Sequence, residues 1–228
     1  MRIAILSDIH GNLMALDAVM TDLESQAPDQ VWCGGDLGWA GPWASECIAR
    51  VREAGWPTVK GNTDVWITGD PQTIEDPEDR EKLQAIAHGH NISDDDARWL
   101  VDLPLGYSPS GPILLVHGTP HSPFSAPLPG APGSDFKDYE DQANLVVYGH
   151  VHHAFVRRLT SGTLVANAGS VGLPADGTTA SYLLIDTTGA DITLSHRRVE
   201  YDRRAVIAEA RRLPQPLGDF ILEKHGAP

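Results

Sequence analysis

The sequence predicts a layered α/β domain, two packed β-sheets with helices outside them, in one unit spanning residues 1–228. Three observations carry this. Short apolar runs rich in β-branched residues recur along the chain. Amphipathic helical segments alternate with the early runs, whereas the second half is strand-rich. No internal repeat divides the 228 residues, a length ample for one buried core.

The elements follow in order. Arg2–Leu6 reads as a strand that runs into Ser7-Asp8-Ile9-His10-Gly11-Asn12. Asn12 suits the N-cap of LMALDAVMTDLESQ, whose Leu13, Leu16, Val19, Met20 and Leu23 share one face. Gln30–Cys33 is the second strand. Pro42 fits the first turn of a helix that Gly55 ends. A third strand is expected over 57–59. Ser93 opens SDDDARWLVDL as a cap followed by first-turn acids, and Pro104 stops it. Further strands are expected at Ile113–Val116, Leu145–Tyr148, 164–166, 182–185 and 192–196, and helices over 203–213 and 219–225. Residues 66–90 are polar and weakly patterned, and residues 120–133 hold five prolines. Both stretches are expected to be loops that carry specificity.

Composition narrows the function. Hydrophobic content is 41% and charged content 21%, ordinary for a soluble globular protein. No run approaches the ~18 apolar residues of a membrane span. Arg2 precedes only four apolar residues without a small-residue cleavage site, so no secretory leader is expected and the protein is read as cytoplasmic. Cys33 and Cys47 make no disulfide framework and are read as free thiols. A formal net charge of −14 repels long polyanions and argues against duplex DNA or long RNA as partners. A small phosphate ester remains open, because a metal site can reverse the field locally.

Why should a buried strand end in a carboxylate and an imidazole two residues apart? Asp8 and His10 follow the first strand, Asp36 the second, Asn62 the third, His117 the fourth, and His150 and His152 the fifth. Seven oxygen and imidazole donors thus lie beyond the C-terminal ends of five expected strands, the edge where sheets with parallel strands build sites. The set lacks thiolate and suits Mn, Fe, Zn, Co or Ni. It exceeds the needs of one tetrahedral ion. It matches two divalent ions roughly 3.5–4 Å apart that share a carboxylate and clamp a phosphoryl group. Each residue alone would read as a turn, a cap or a hydrogen-bonded structural histidine.

The order Asp8-x-His10, Gly35-Asp36, Gly61-Asn62, His117-Gly118, Gly149-His150-x-His152 resembles the calcineurin-like metallophosphoesterase superfamily. Residues 167–174, NAGSVGLP, resemble its small bacterial phosphodiesterase branch. The resemblance implies a four-layer αββα sandwich of two mixed sheets flanked by helices. It implies that Asp8, His10 and His152 hold one ion, that Asn62, His117 and His150 hold the other, and that Asp36 bridges. It implies in-line attack by a metal-bridging hydroxide, with Asn62 and His117 close to the reacting phosphate, and a small-molecule phosphodiester as substrate.

The chain also departs from the pattern. Many superfamily members read Gly-Asn-His at the third motif, and that His protonates the leaving oxygen. Here Thr63 and Asp64 follow Asn62, and Thr63 is no acid near neutral pH. General-acid help is worth ~10²–10⁴-fold. His121, four residues beyond His117, is the expected substitute, with His88, His90 or a water as alternatives. Asp64 is expected either to orient His10 or a neighbouring ligand from outside the coordination sphere or to cap a turn, and Asn12 is grouped with it as a supporting residue. Asn167 and Ser170 are read as supports for the Asp8 strand or for the ligands from outside the coordination sphere, and a plain tight turn accounts for Gly169-Ser170 as well. Trp39, Trp43 and Trp66 could line the mouth of the site or simply pack in the core. Two other functions compete with the phosphodiesterase reading. One is a phosphomonoesterase or phosphoprotein phosphatase on the same site, although no Arg lies within a metal motif to grip a dianion. The other is a non-catalytic metal-binding scaffold.

Overall fold

The structure, a computed structural model, describes residues 1–68, 76–109, 111–189 and 192–226. The strands are β1 (Arg2–Leu6), β2 (Gln30–Cys33), β3 (Gly106–Tyr107), β4 (Ile113–Val116), β5 (Leu145–Tyr148), β6 (Phe155–Arg158), β7 (Leu164–Asn167), β8 (Ala180–Asp186) and β9 (Thr193–Val199). They form two sheets, ordered β2-β1-β8-β9 and β3-β4-β5-β7-β6. Both sheets are mixed. β1 and β2 run parallel while β8 pairs antiparallel with β1. β4, β5 and β7 run parallel between the antiparallel edges β3 and β6.

Side-chain alternation along each strand divides the core into layers. Ile3, Ile5, Leu183 and Ile185 from the first sheet meet Leu115, Leu145, Val147 and Ala166 from the second. Ala4, Leu6, Tyr182 and Leu184 point the other way, into the helices. These strands are covered on both faces, which is why they read as near-continuous apolar runs. The helices are α1 (Leu13–Gln26), α2 (Ala44–Glu53), α3 (Asn62–Ile67), α4 (Pro77–Gly89), α5 (Asp94–Asp102), α6 (Arg203–Ala210) and α7 (Leu217–Lys224). Each contributes side chains to the cluster on the outer face of the first sheet. The second sheet has a thinner outer layer, the 3-10 helix Gly133–Tyr139 with the proline-rich segment before it. Two buried tyrosines pin that segment: Tyr148 donates to Pro127 O (2.8 Å) and Tyr139 to Gly118 O (3.0 Å). Residues 120–130 stay irregular, as expected.

Three local expectations change. Residues 57–59 make only one bridge, Cys33 to Thr58, rather than a strand. The stretch 66–90 is not a continuous loop, because α3 and α4 occupy much of it; residues 69–75 lie outside the described residues. Asp76 caps α4 through Glu78 and Asp79 N–H groups, and Pro77 fills its first turn. The sandwich also gains two edge strands, β3 and β6, and the side chains of β6 alternate between half-buried and exposed. Among the described residues, no helix is long and apolar enough to cross a membrane.

Candidate metal centre

Six of the seven expected ligands sit just past β1, β2, β4 and β5, at one end of the sandwich. Asn62 opens α3. The backbone there is unusual. Asp8 (φ 58°), His10 (50°), Asp36 (58°), His150 (68°) and His152 (57°) all adopt the left-handed region. Asp, Asn and His tolerate it better than most residues, yet each such non-glycine residue still costs about 1–3 kcal/mol. Backbone bonds between adjacent loops hold the conformation: Asp8 N–H to Gly35 O (3.0 Å), His10 N–H to Asp36 O (2.9 Å) and Gly34 N–H to Leu6 O (2.7 Å). Two glycines are required by close approach. A Cβ on Gly61 would lie 2.0 Å from Asp36 Oδ1, and one on Gly149 would lie 2.5 Å from Asp8 Oδ2.

Asp8, His10, Asp36 and His152 offer ligand atoms that all lie within 4.8 Å of one another. The hydrogen-bond arithmetic around them is specific. His10 Nδ1 donates to Trp39 O (2.9 Å), His152 Nδ1 to Leu173 O (2.7 Å) and His117 Nδ1 to Gly34 O (2.7 Å). A carbonyl only accepts, so each Nδ1 carries the hydrogen and each neutral ring presents a lone pair at Nε2. Those lone pairs converge. His10 Nε2 lies 3.0 Å from His152 Nε2, which lies 3.1 Å from Asp8 Oδ1. His117 Nε2 lies 3.0 Å from Asn62 Oδ1, which lies 2.9 Å from His150 Nδ1. Asp36 Oδ2 stands 3.7 Å from His10 Nε2 and 3.5 Å from His117 Nε2. These facing nitrogen and oxygen atoms are satisfied by positive charge between them, a proton on an imidazole or a bound cation, and the set fits a divalent transition metal.

The electrostatics agree. Burial pushes the His10 imidazole down to about 4, so the ring is neutral and able to ligate. Burial also opposes charge on His152 and His117. The Asp8 carboxylate outweighs it at His152, and Asp36 with Asp8 outweighs it at His117, so both rings rise above the ordinary histidine value. Asp8 is itself desolvated, but His152 beside it holds the carboxyl well below the usual range. The site thus attracts positive charge at the same atoms that would bind a metal.

Of the two roles expected for Asp64, its contacts show the cap. Asp64 does not reach His10. Its carboxylate accepts Asp36 N–H and Gly61 N–H (both 2.8 Å) and Leu37 N–H (2.9 Å). It caps α3 and clamps the Asp36 loop, because the third motif folds directly into a helix. Burial and the nearby Asp36 raise its carboxyl to about 6. Asn12 caps α1 through Ala15 N–H and donates to Gly172 O (3.0 Å), tying the first loop to the 167–174 stretch rather than to a ligand. Ser170 Oγ donates to Asp8 O (2.7 Å), and Asn167 Nδ2 bonds Gly149 O. His150 N–H donates to Asp8 Oδ1 (3.0 Å).

His121 is exposed in the Thr119–Ser122 turn, where its own N–H bonds Thr119 Oγ1 at 3.4 Å, and it does not line the cleft over the cluster. His88 is exposed. His90 is buried, accepts from Ala40 N–H and is held down to about 4 by desolvation. The cleft has a volume of about 330 Å³. Beside His10, Asp36, Asn62, His150 and His152 it is lined by Trp39, Trp66, Leu83, Leu173, Phe220 and Lys224. Trp39 and Trp66 therefore serve both expected roles, wall and core, whereas Trp43 does not line it. Leu83 comes from the 66–90 stretch expected to carry specificity and Leu173 from the 167–174 stretch, whereas Phe220 and Lys224 come from a C-terminal helix that nothing in the sequence ties to the site.

The fold and the cluster define a metallophosphoesterase. The chain belongs to the calcineurin-like phosphoesterase superfamily, whose domain model matches residues 1–190. It is 30% identical to an uncharacterized protein of Methanocaldococcus jannaschii over 96% of both chains. It resembles the crystal structure of a metallophosphoesterase from Sphaerobacter thermophilus, with TM-score 0.76 and 27% identity over 98% of this chain and 100% of that one. A hypothetical protein from Pyrococcus horikoshii shares the fold, with TM-score 0.74 and 22% identity over 96% and 97% of the two chains. Membership supports phosphoester hydrolysis with a divalent metal held at the cluster.

Proposed function

We propose that this protein is a two-metal phosphodiesterase acting on small-molecule phosphodiesters in the cytoplasm, with manganese the preferred metal. One observation carries the two-metal reading. Asp36 Oδ2 stands between two sets of converging lone pairs, 3.7 Å from His10 Nε2 and 3.5 Å from His117 Nε2. Asp8, His10 and His152 would hold one cation, Asn62, His117 and His150 the other, and Asp36 both. When bound, such a pair supplies a nucleophilic water at neutral pH and neutralises charge on the phosphate.

The chain's own residues do the rest. Trp39 O, Leu173 O and Gly34 O fix the three imidazoles in the tautomer that ligates. Asp64 fixes the Asp36 backbone. The cleft then orients the ester. The preference for diesters rests on what lines it. Lys224 is its one lysine or arginine among the described residues, so the wall lacks the bidentate fork suited to a dianionic monoester. The net charge of −14 supports a small substrate over a long nucleic acid.

The test is steady-state kinetics on chelator-stripped protein refilled with Mn²⁺, comparing bis-p-nitrophenyl phosphate with p-nitrophenyl phosphate by kcat/KM. The diester is expected to be the better substrate. A monoester preference overturns the diesterase reading. Metal binding that saturates at one equivalent overturns the two-metal centre, and less than one equivalent after refilling favours a non-catalytic scaffold.

A further inference from the structure

The cleft has two unlike halves. Its floor is the ligand cluster, and its wall is apolar and aromatic. Trp39 lies at the centre of the wall, with its ring centroid 6.1 Å from that of Trp66 and 5.8 Å from that of Phe220. Trp39 is almost fully buried, but Trp66, Phe220, Leu83 and Leu173 keep exposed area toward the cleft. The wall is also joined to the floor, since Trp39 O is the acceptor that orients His10. Partly exposed aromatic rings over a charged floor form a surface that a flat apolar group can cover.

Lys224 completes the arrangement. In this acidic chain other cations are neutralised nearby: Arg50 by Asp17, Arg197 by Asp22 and Arg198 by Asp176. Lys224 makes no ion pair with a carboxylate among the described residues. Its Nζ lies 5.4 Å from the Phe220 ring centroid, one helical turn back on α7, and it lines the cleft. Leu217 and Ile221 anchor α7 in the core, which fixes the cleft-facing side of the helix. Arg203, whose guanidinium donates to His225 O (3.1 Å), borders Leu173 and Lys224 on the next depression and adds a second positive charge.

We propose that the Trp66–Phe220 wall and Lys224 form a specificity subsite for a planar aromatic group carrying phosphate, a nucleobase with its sugar phosphate, on the half of the diester that the reaction retains. The aromatic group covers the wall and the ammonium neutralises the phosphate-bearing half. This rests on the phosphodiesterase reading for catalysis, but the binding it asserts is independent of turnover.

Two measurements separate the two ideas. The first compares kcat/KM for two diesters with one leaving group, the p-nitrophenyl diester of thymidine and methyl p-nitrophenyl phosphate, on the Mn²⁺-loaded protein. The wild type is expected to prefer the thymidine ester by roughly tenfold or more. Phe220→Ala is expected to lose most of that ratio, and Lys224→Met to reduce it about threefold to tenfold. The second titrates thymidine monophosphate into chelator-treated protein and follows tryptophan fluorescence, with inorganic phosphate as control. The nucleotide is expected to quench, phosphate to quench far less, and Trp66→Phe to lose most of the signal. A wild-type ratio near one that neither variant changes overturns the subsite while leaving the diesterase intact. If neither diester is hydrolysed, the diesterase reading falls and the titration alone decides the subsite: equal responses to nucleotide and phosphate overturn it.

Discussion

The two halves of the ligand cluster are built differently. Asp8, His10 and His152 include a carboxylate of their own, and two imidazole Nε2 atoms approach to 3.0 Å. Asn62, His117 and His150 include only a neutral amide oxygen, with His117 fully buried and His150 half-buried. In the proposed two-metal centre Asp36 would serve both. The first half would then face a cation with two carboxylates, the second with one shared. Coulomb attraction in a buried site scales with that charge, so the first half should bind metal more tightly and release it last.

Removing the shared group should break this comparison outright. Asp36→Ala is expected to abolish metal binding at both halves and to lower kcat/KM by roughly 10³-fold or more; retention of two equivalents by elemental analysis would refute the bridging role. Removing one half's own ligand should sharpen the asymmetry. His152→Ala is expected to lose the tighter equivalent in a metal titration, whereas Asn62→Ala keeps it and loses the weaker one. Equal residual stoichiometry and affinity in the two variants would contradict the charge argument. Asp64→Ala acts one step removed, freeing Asp36, Leu37 and Gly61 N–H groups at once. A loss of about 10–100-fold in metal affinity or activity is expected, with a lower thermal midpoint in the metal-free protein as well. Ser170→Ala removes one hydrogen bond to Asp8 O and one acceptor for Leu173 N–H. It should cost about 1 kcal/mol by denaturant titration and weaken the first half only slightly.

Much of the ligand cluster was legible because each of six members ends a strand at one edge of the sandwich, and a strand end is local information. The two-sheet architecture was legible for the same reason, since buried strands announce themselves as apolar runs. What the residues reach was less legible. Asp64 carries the same sequence signal whether it orients an imidazole or clamps three N–H groups, and only the fold of α3 decides. Helix α4 is masked in the sequence although Asp76-Pro77 is a start signal, because its polar composition hides its buried edge, Ile86 and Ala87. Strand β6 escaped notice as an edge with alternate residues exposed. Phe220 and Lys224 were placed on an expected helix, but nothing in a local window says which distant cleft a C-terminal helix covers.

The left-handed backbone at five ligand positions has a consequence for redesign. Those positions filter residues twice, once for donor chemistry and once for conformational tolerance. Asp and His pass both filters. A glutamate or cysteine exchange aimed at changing metal preference would face the second as well as the first, so most ligand swaps would disturb the loop before they could retune the ion. The part of the wall contributed by α4 and α7 carries no such constraint, because Leu83, Phe220 and Lys224 sit in ordinary helical backbone. Variation in what this protein recognises is therefore easiest at the wall, with the floor left as it stands.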